Sequence, residues 1–389
     1  MQTKYVILRC EDTGRGENVA SLLEGAKLPQ LQQMAQAGSA GLVIPPARLS
    51  SIDRFQLHRG LLGLSLRDPE ATPSACYAAS LGLDLKEGQT AWCCEFVTHR
   101  DGRIVDATAG SITTNESQML LQALESQLGS EQLCWKLGRE SHHLLLVSDP
   151  TLQNDGQAPI RSPERVLEES WRRCLPKGIL GNSLRRLIEQ ASSVLEAHTI
   201  NRVRIDLGEN PANMVWLWGP GHRSPARSFS ERTGLSGLLM SNDFPMRGMA
   251  RILGLDWKEA LESLEEASFR SLTQKLNRAV EKYDFVYLHL VIRTSQAIER
   301  LCAMERMDQW LVKPLVSQLP ERTSWRILIV IDDRPDDGAA VVAMGSDLGK
   351  SPIVHLNRKD FAESAFRFSH TSDLFSWFVP KTDGLNERP

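Results

Sequence analysis

Four short, almost uninterrupted apolar runs constrain this chain more than any other feature: residues 6–8, 215–218, 285–290 and 327–331. A strand that is apolar at nearly every position, instead of every second one, needs cover on both faces. That is the condition of a strand inside a largely parallel sheet flanked by helices. Helical patterns lie between the runs. One starts at Pro29, a good first-turn residue, and ends at Gly38, with Leu31, Met34 and Ala35 as its apolar stripe. Another is predicted over residues 294–319, where Ala297, Leu301, Met304, Met307, Leu311 and Leu315 recur at helical spacing. Helices alternating with apolar strands predict a doubly wound α/β core.

The middle of the chain has a different grammar. Residues 91–97, a turn at Asp101-Gly102 and residues 103–107 predict a β-hairpin. A helix over 116–128, a strand over 143–147, a Pro-containing loop over 149–163 and helices over 164–174 and 183–197 follow. The expected organisation is a discontinuous core of residues 1–64 and 191–380, with residues 65–190 inserted as a smaller α+β cap and a polar tail over 381–389.

At 389 residues the chain can bury a core without staples. A formal net charge of −3 gives no attraction to nucleic acid or anionic lipid, so neither partner is expected. No apolar run approaches the roughly 20 residues of a membrane span. The stretch 1–9 lacks the basic start, apolar stretch and cleavage site of a signal peptide. Seven scattered cysteines with no CxxC pair read as reduced thiols, and the expected location is the cytoplasm.

Six segments, in order, carry a family resemblance: LLEGAKLPQLQQMAQAGSAGLV, DGRIVDATAGSITTNES, ANMVWLWGPG, GLSGLLMSNDFPMRGMARILGLD, YDFVYLHL and RILIVIDD. Together they resemble the archaeal-type 2,3-bisphosphoglycerate-independent phosphoglycerate mutases, a branch of the alkaline phosphatase superfamily. The resemblance implies an alkaline-phosphatase-like core with an inserted cap. It also implies two divalent ions, Mn2+ or Mg2+, at the strand ends and a serine that carries the phosphoryl group between the two glycerate hydroxyls. Such chemistry needs carboxylate and imidazole ligands, and arginines to hold the phosphate.

Set against that pattern, the first metal-ligand position holds Glu11, which reads either as a ligand or as an exposed acid. An ungapped match puts Leu57 at the nucleophile position. With an insertion, Ser50 or Ser51 takes that place, Ser51 being the candidate nucleophile, while helix N-capping explains either serine as well. Asp332 and Asp333 stand where the family has Asp-His, and Ser346 where it has a final histidine. The stretch after residues 285–290 lacks the family's Asp and His, and Arg293 would bring a cation toward the metal position. His289, inside the strand, reads as a core histidine or one supporting a ligand. His143 and Arg247 are the candidate substrate-binding residues; Ser111, His142 and residues 72–74 stand where the family carries basic groups. Gly219-Pro220-Gly221 reads as a turn or as a phosphate-approaching loop. Near the end, Phe375, Trp377 and Phe378 form either a docking patch or ordinary core.

The expected function is therefore a family homologue that binds a protein partner or a small phosphorylated ligand without catalysis and without a metal cofactor. The alternative is a metal-dependent mutase or phosphatase with a rearranged site, using Mn2+ or Mg2+ through Glu11, Asp332, Asp333 and Ser51.

Overall fold

The computed structural model describes residues 3–12, 22–44, 54–65, 71–153, 160–223, 226–294, 296–318, 324–332 and 338–380. Its strands run in chain order as β1 (Lys4–Asp12), β2 (Ser39–Val43), β3 (Thr90–Arg100), β4 (Arg103–Asp106), β5 (Leu133–Arg139) and β6 (His142–Val147). They continue as β7 (Met214–His222), β8 (Gly237–Ser241), β9 (Asp256–Glu259), β10 (Phe285–Ile292), β11 (Trp325–Asp332), β12 (Ala339–Gly345) and β13 (Phe366–Phe368). The chain divides into two compact units, residues 1–68 with 226–389, and residues 69–225.

The first unit is built on an eight-stranded sheet of order β13-β2-β12-β11-β1-β10-β8-β9. Its run from β11 to β9 is parallel throughout. Alternation along β1 sends Val6, Leu8 and Cys10 to one face, where they join Leu288, Ile329, Met34, Phe269, Leu276 and Met304 in a single core. Tyr5 and Ile7 point the other way. On that second face Tyr5 meets Phe378 edge-on, and Phe285 packs against Phe229 and Phe375. Helices thus cover both faces, and the expected α/β doubly wound core stands. Phe375 and Phe378 belong to this packing and are 6% and 0% exposed, so these two are core, while Trp377 is half-buried against Phe366 and Phe368.

Helix Arg54–Leu61 reaches helix Thr371–Phe378 so closely that a Cβ on Gly60 would sit 1.8 Å from Thr371 Oγ1. Gly60→Ala is therefore expected to lower stability by about 1–3 kcal/mol, as overpacking does, which urea denaturation would measure. A neutral result would mean that the two helices part without cost.

The helix predicted over 294–319 is broken in its middle. It runs Ala297–Met307, passes through a π-turn at Asp308–Val312 and resumes at Lys313–Gln318. The Asp308 carboxylate accepts from the backbone N–H groups of Gln30 and Leu31, at 3.0 and 2.7 Å. It thereby caps helix Pro29–Ala37, whose own N-cap residue, Leu28, supplies no side-chain bond.

The second unit holds a five-stranded antiparallel sheet, β4-β3-β6-β5 with β7 on β3. The hairpin between β3 and β4 turns on Asp101 and Gly102, both at positive φ, as a two-residue hairpin turn requires. Two expectations fail here. Residues 215–218 are a strand, as their apolarity predicted, but β7 pairs along β3 in this sheet and not in the large one. Residues 164–174 form no α-helix, only 3-10 turns at Pro163–Arg165 and Trp171–Cys174. Glu168 and Trp171 donate their N–H groups to Ile104 and Gly102, so pairing with distant backbone replaces the i−4 ladder. Among the described residues no helix is long and apolar enough to cross a membrane.

Candidate functional site

In an open parallel sheet, side chains at the carboxyl ends of the central strands are the ones offered to a ligand. Here those ends carry an unusual run of buried polar groups. Register aligns Arg9 of β1 with His289 of β10, and His289 with Ser241 of β8. One step further on, Glu11 of β1 aligns with Asp332 of β11. Because in-register neighbours of a parallel sheet face the same way, Arg9, Glu11, Tyr287, His289 and Asp332 share the second face of the sheet. His58 joins them from helix Arg54–Leu61.

Arg9 is completely buried, with Nη2 3.0 Å from Asp332 Oδ2 and 3.4 Å from Glu11 Oε2. Burial works against its charge, yet Glu11, Tyr287 and Asp332 outweigh that penalty and raise its pKa. Glu11, read in the sequence as a ligand or an exposed acid, is only 5% exposed. His289 Nε2 lies 3.2 Å from Glu11 Oε2, and its Nδ1 lies 2.9 Å from Ser241 Oγ, which accepts from the Asp243 N–H. Burial pulls the His289 pKa down against the pull of Glu11, so the ring is held neutral. His58 Nδ1 is 2.7 Å from the Tyr287 hydroxyl, and its Nε2 is 3.9 Å from the same Glu11 oxygen. Burial pushes the Tyr287 phenol up, which keeps it protonated and able to donate. Glu11, His58 and His289 thus present one oxygen and two nitrogens, all within 4.8 Å of one another: a candidate metal site.

Two further arginines hold acids around this group. Arg300 Nε donates to Asp12 Oδ1 at 2.9 Å, and Arg293 pairs with the buried Asp243. Arg293, which the sequence suggested as a cation near the metal position, is therefore engaged by Asp243.

The structure brings Glu11 and Asp332 together. Ser51 and Asp333 lie outside the described residues, as does Ser50. Leu57, opposite the family's nucleophile in the ungapped match, sits one residue before His58. Arg247 is exposed on helix Phe244–Leu253. His143 is in the second unit, 1% exposed, its ring edge-on to Phe96 and its Nδ1 accepting from the Gly138 N–H. Gly221 packs against Thr72 and Ser74, which makes its stretch a tightly covered strand end. Sequence reasoning missed Arg9, His58, Tyr287 and Ser241. One signal was available: Tyr287 and His289 are polar at every second position of an apolar strand, and Arg9 and Glu11 do the same in β1.

Residues 36–201 match the family model described as 2,3-bisphosphoglycerate-independent phosphoglycerate mutase. The chain is 25% identical over 324 residues to the mutase of that description from Methanosarcina acetivorans, covering 81% of this chain and 80% of that one. It is 27% identical over 325 residues to "2,3-bisphosphoglycerate-independent phosphoglycerate mutase 2" of Methanothermobacter thermautotrophicus, covering 80% and 78%. The fold is shared with a cofactor-independent phosphoglycerate mutase of Thermoplasma acidophilum at a TM-score of 0.56 and 22% identity, covering 97% of this chain and 100% of that one. A Pyrococcus horikoshii protein shares it at a TM-score of 0.66 and 17% identity, covering 98% and 99%.

Proposed function

We infer that the chain is a member of the 2,3-bisphosphoglycerate-independent phosphoglycerate mutase family that keeps the family scaffold for binding and does not run the two-metal mutase reaction. The observation that carries this reading is Arg9. Its guanidinium lies between Glu11 and Asp332, the two carboxylates that metal ions would need to share. A divalent ion brought to about 4 Å from a guanidinium meets a repulsion of roughly 8 kcal/mol at an effective dielectric of 20. Asp12 and Asp243, the other buried acids at these strand ends, are engaged by Arg300 and Arg293. Among the described residues, the acids at these strand ends are thus engaged by arginines, which disfavours a pair of divalent ions there. A binding role toward a protein partner or a small phosphorylated ligand is what the scaffold retains. Free thiols at all seven cysteines favour a cytoplasmic setting.

The test is a coupled assay of 3-phosphoglycerate isomerisation by chelator-stripped protein, repeated with Mn2+ and with Mg2+. No turnover above the blank is expected. A kcat of about 1 s−1 or more, the low end of ordinary enzymes, would establish the second reading instead. That second reading, a metal-dependent mutase or phosphatase with a rearranged site, draws its support from the Glu11, His58 and His289 cluster.

A further inference from the structure

The short helix Thr199–Asp206 of the second unit is built inside out. The side chains it buries are polar. Asn201 donates from Nδ2 to the carbonyls of Leu195 and Ala212, at 2.8 and 2.9 Å, and accepts from the Ala212 N–H at 2.9 Å. Arg204 donates to the carbonyls of Ala109, Gly110 and Asn210, at 2.9, 3.0 and 3.0 Å, and pairs with Glu116 at 2.7 Å. These bonds satisfy the inner face and fix the helix to its unit. The apolar residues point the other way: Val203, Ile205 and Leu207 are each more than half exposed.

Eight large apolar side chains are exposed among the described residues, and three of them fall within these five consecutive positions. A single exposed apolar residue needs no explanation, but a cluster does. Local structure does not ask for them either. Val and Ile are poorer helix formers than the Lys, Glu or Gln that suit an exposed helix face.

Helical spacing sorts the outward side chains into two neighbouring ridges. Thr199, Val203 and Leu207 stand one turn apart along the first, and Arg202 and Asp206 along the second. Among the described residues, neither Arg202 nor Asp206 enters an ion pair within the chain. A cation at the start of the stripe and an anion one turn on are complementary to the same stripe running in the opposite direction. Laid antiparallel across a two-fold axis near Val203, two such helices set apolar ridge on apolar ridge, and Arg202 of each copy meets Asp206 of the other. A two-fold interface has this property, that residue i contacts j while j contacts i.

We propose that this face is a self-association surface, on which a second copy of the chain docks its own helix Thr199–Asp206 antiparallel. The proposal is independent of whether the chain runs the mutase reaction, because no residue at the strand ends of the first unit takes part.

Sedimentation velocity of the full chain over about 1–200 μM, at about 0.15 M salt, should show reversible dimerisation with a dissociation constant of roughly tens of micromolar, as suits a small interface. Val203→Glu and Leu207→Glu should each weaken the dimer more than about 100-fold, since the two-fold axis repeats the lost burial. Both positions are exposed in the single chain, so urea midpoints at about 1 μM should stay at the wild-type value, which separates lost association from lost fold. Arg202→Asp should weaken the dimer about 10-fold by setting like charges face to face, and adding Asp206→Arg to it should restore the affinity. If a glutamate variant does not fold, the charge-swap pair decides. A chain that stays monomeric at about 200 μM, a dimer indifferent to both glutamate substitutions, or a charge swap no tighter than Arg202→Asp alone would each overturn the proposal. The first of these would assign the face to a different protein.

Discussion

Arg9→Met should destabilise the protein by about 3–5 kcal/mol at pH 8, among the largest losses that a single substitution can produce here. The reason is asymmetry. Assembling a buried ion pair gains little, because desolvation consumes the Coulombic attraction, but removing one partner leaves the other charged and without water. Here one cation serves two carboxylates, Asp332 at 3.0 Å and Glu11 at 3.4 Å, and both are more than nine-tenths buried. Methionine fills much of the arginine volume, so the loss reports charge more than a cavity. Once the guanidinium is gone, the carboxylates can escape by taking up protons. The deficit relative to wild type should therefore shrink as the pH is lowered from 8 to 5. Urea denaturation of both proteins at the two pH values measures this. A loss below about 1 kcal/mol at pH 8, or one that does not change with pH, would mean that Arg9 does not hold these acids ionised.

The same residue shows where sequence reasoning stops. The runs that became β1, β10 and β11 were legible because a strand covered on both faces has little choice of composition. Glu11 and Asp332 were singled out through the family resemblance, which sets them at its ligand positions, and the structure places them at the ends of β1 and β11. Arg9, His58, Tyr287 and Ser241 were not, since their meaning depends on which strands are neighbours and in what register. Arg9 faces His289 only because β1 lies in register beside β10. An arginine inside an otherwise apolar strand carries no label saying what it pairs with. The errors in the second unit have the same origin. The apolarity of residues 215–218 identified a strand but not its partner, and β7 went to β3. Helical spacing over 164–174 lost to hydrogen bonds with Gly102 and Ile104, contacts more than 60 residues away that no local pattern encodes.

Acid should weaken the second unit through a single histidine. His143 is 1% exposed on β6, and its Nδ1 accepts from the Gly138 N–H, so its own proton sits on Nε2, which has no hydrogen-bond partner among the described residues. A second proton would have to enter at Nδ1, facing a donor, on a ring that is 1% exposed. Burial first, and the neighbouring His142 second, bring its pKa down from 6.5 to about 3. The native ring thus stays neutral while the unfolded one takes up a proton near pH 6.5. Between those two values the unfolded state binds more protons, so stability falls as the pH falls, by about 1.4 kcal/mol per unit, and levels off near pH 3. His143→Asn removes the titration but keeps an acceptor for Gly138. Loss of packing against Phe96 will lower its stability at pH 7, yet its acid dependence should be flatter than that of wild type by about 3 kcal/mol between pH 6.5 and 4. Hydrogen exchange of the amides of residues 144–147, followed across that range in both proteins, reads the difference within the strand itself. Equal slopes would show that the native ring accepts the proton, which would require water or a carboxylate to reach it by a local opening of β6.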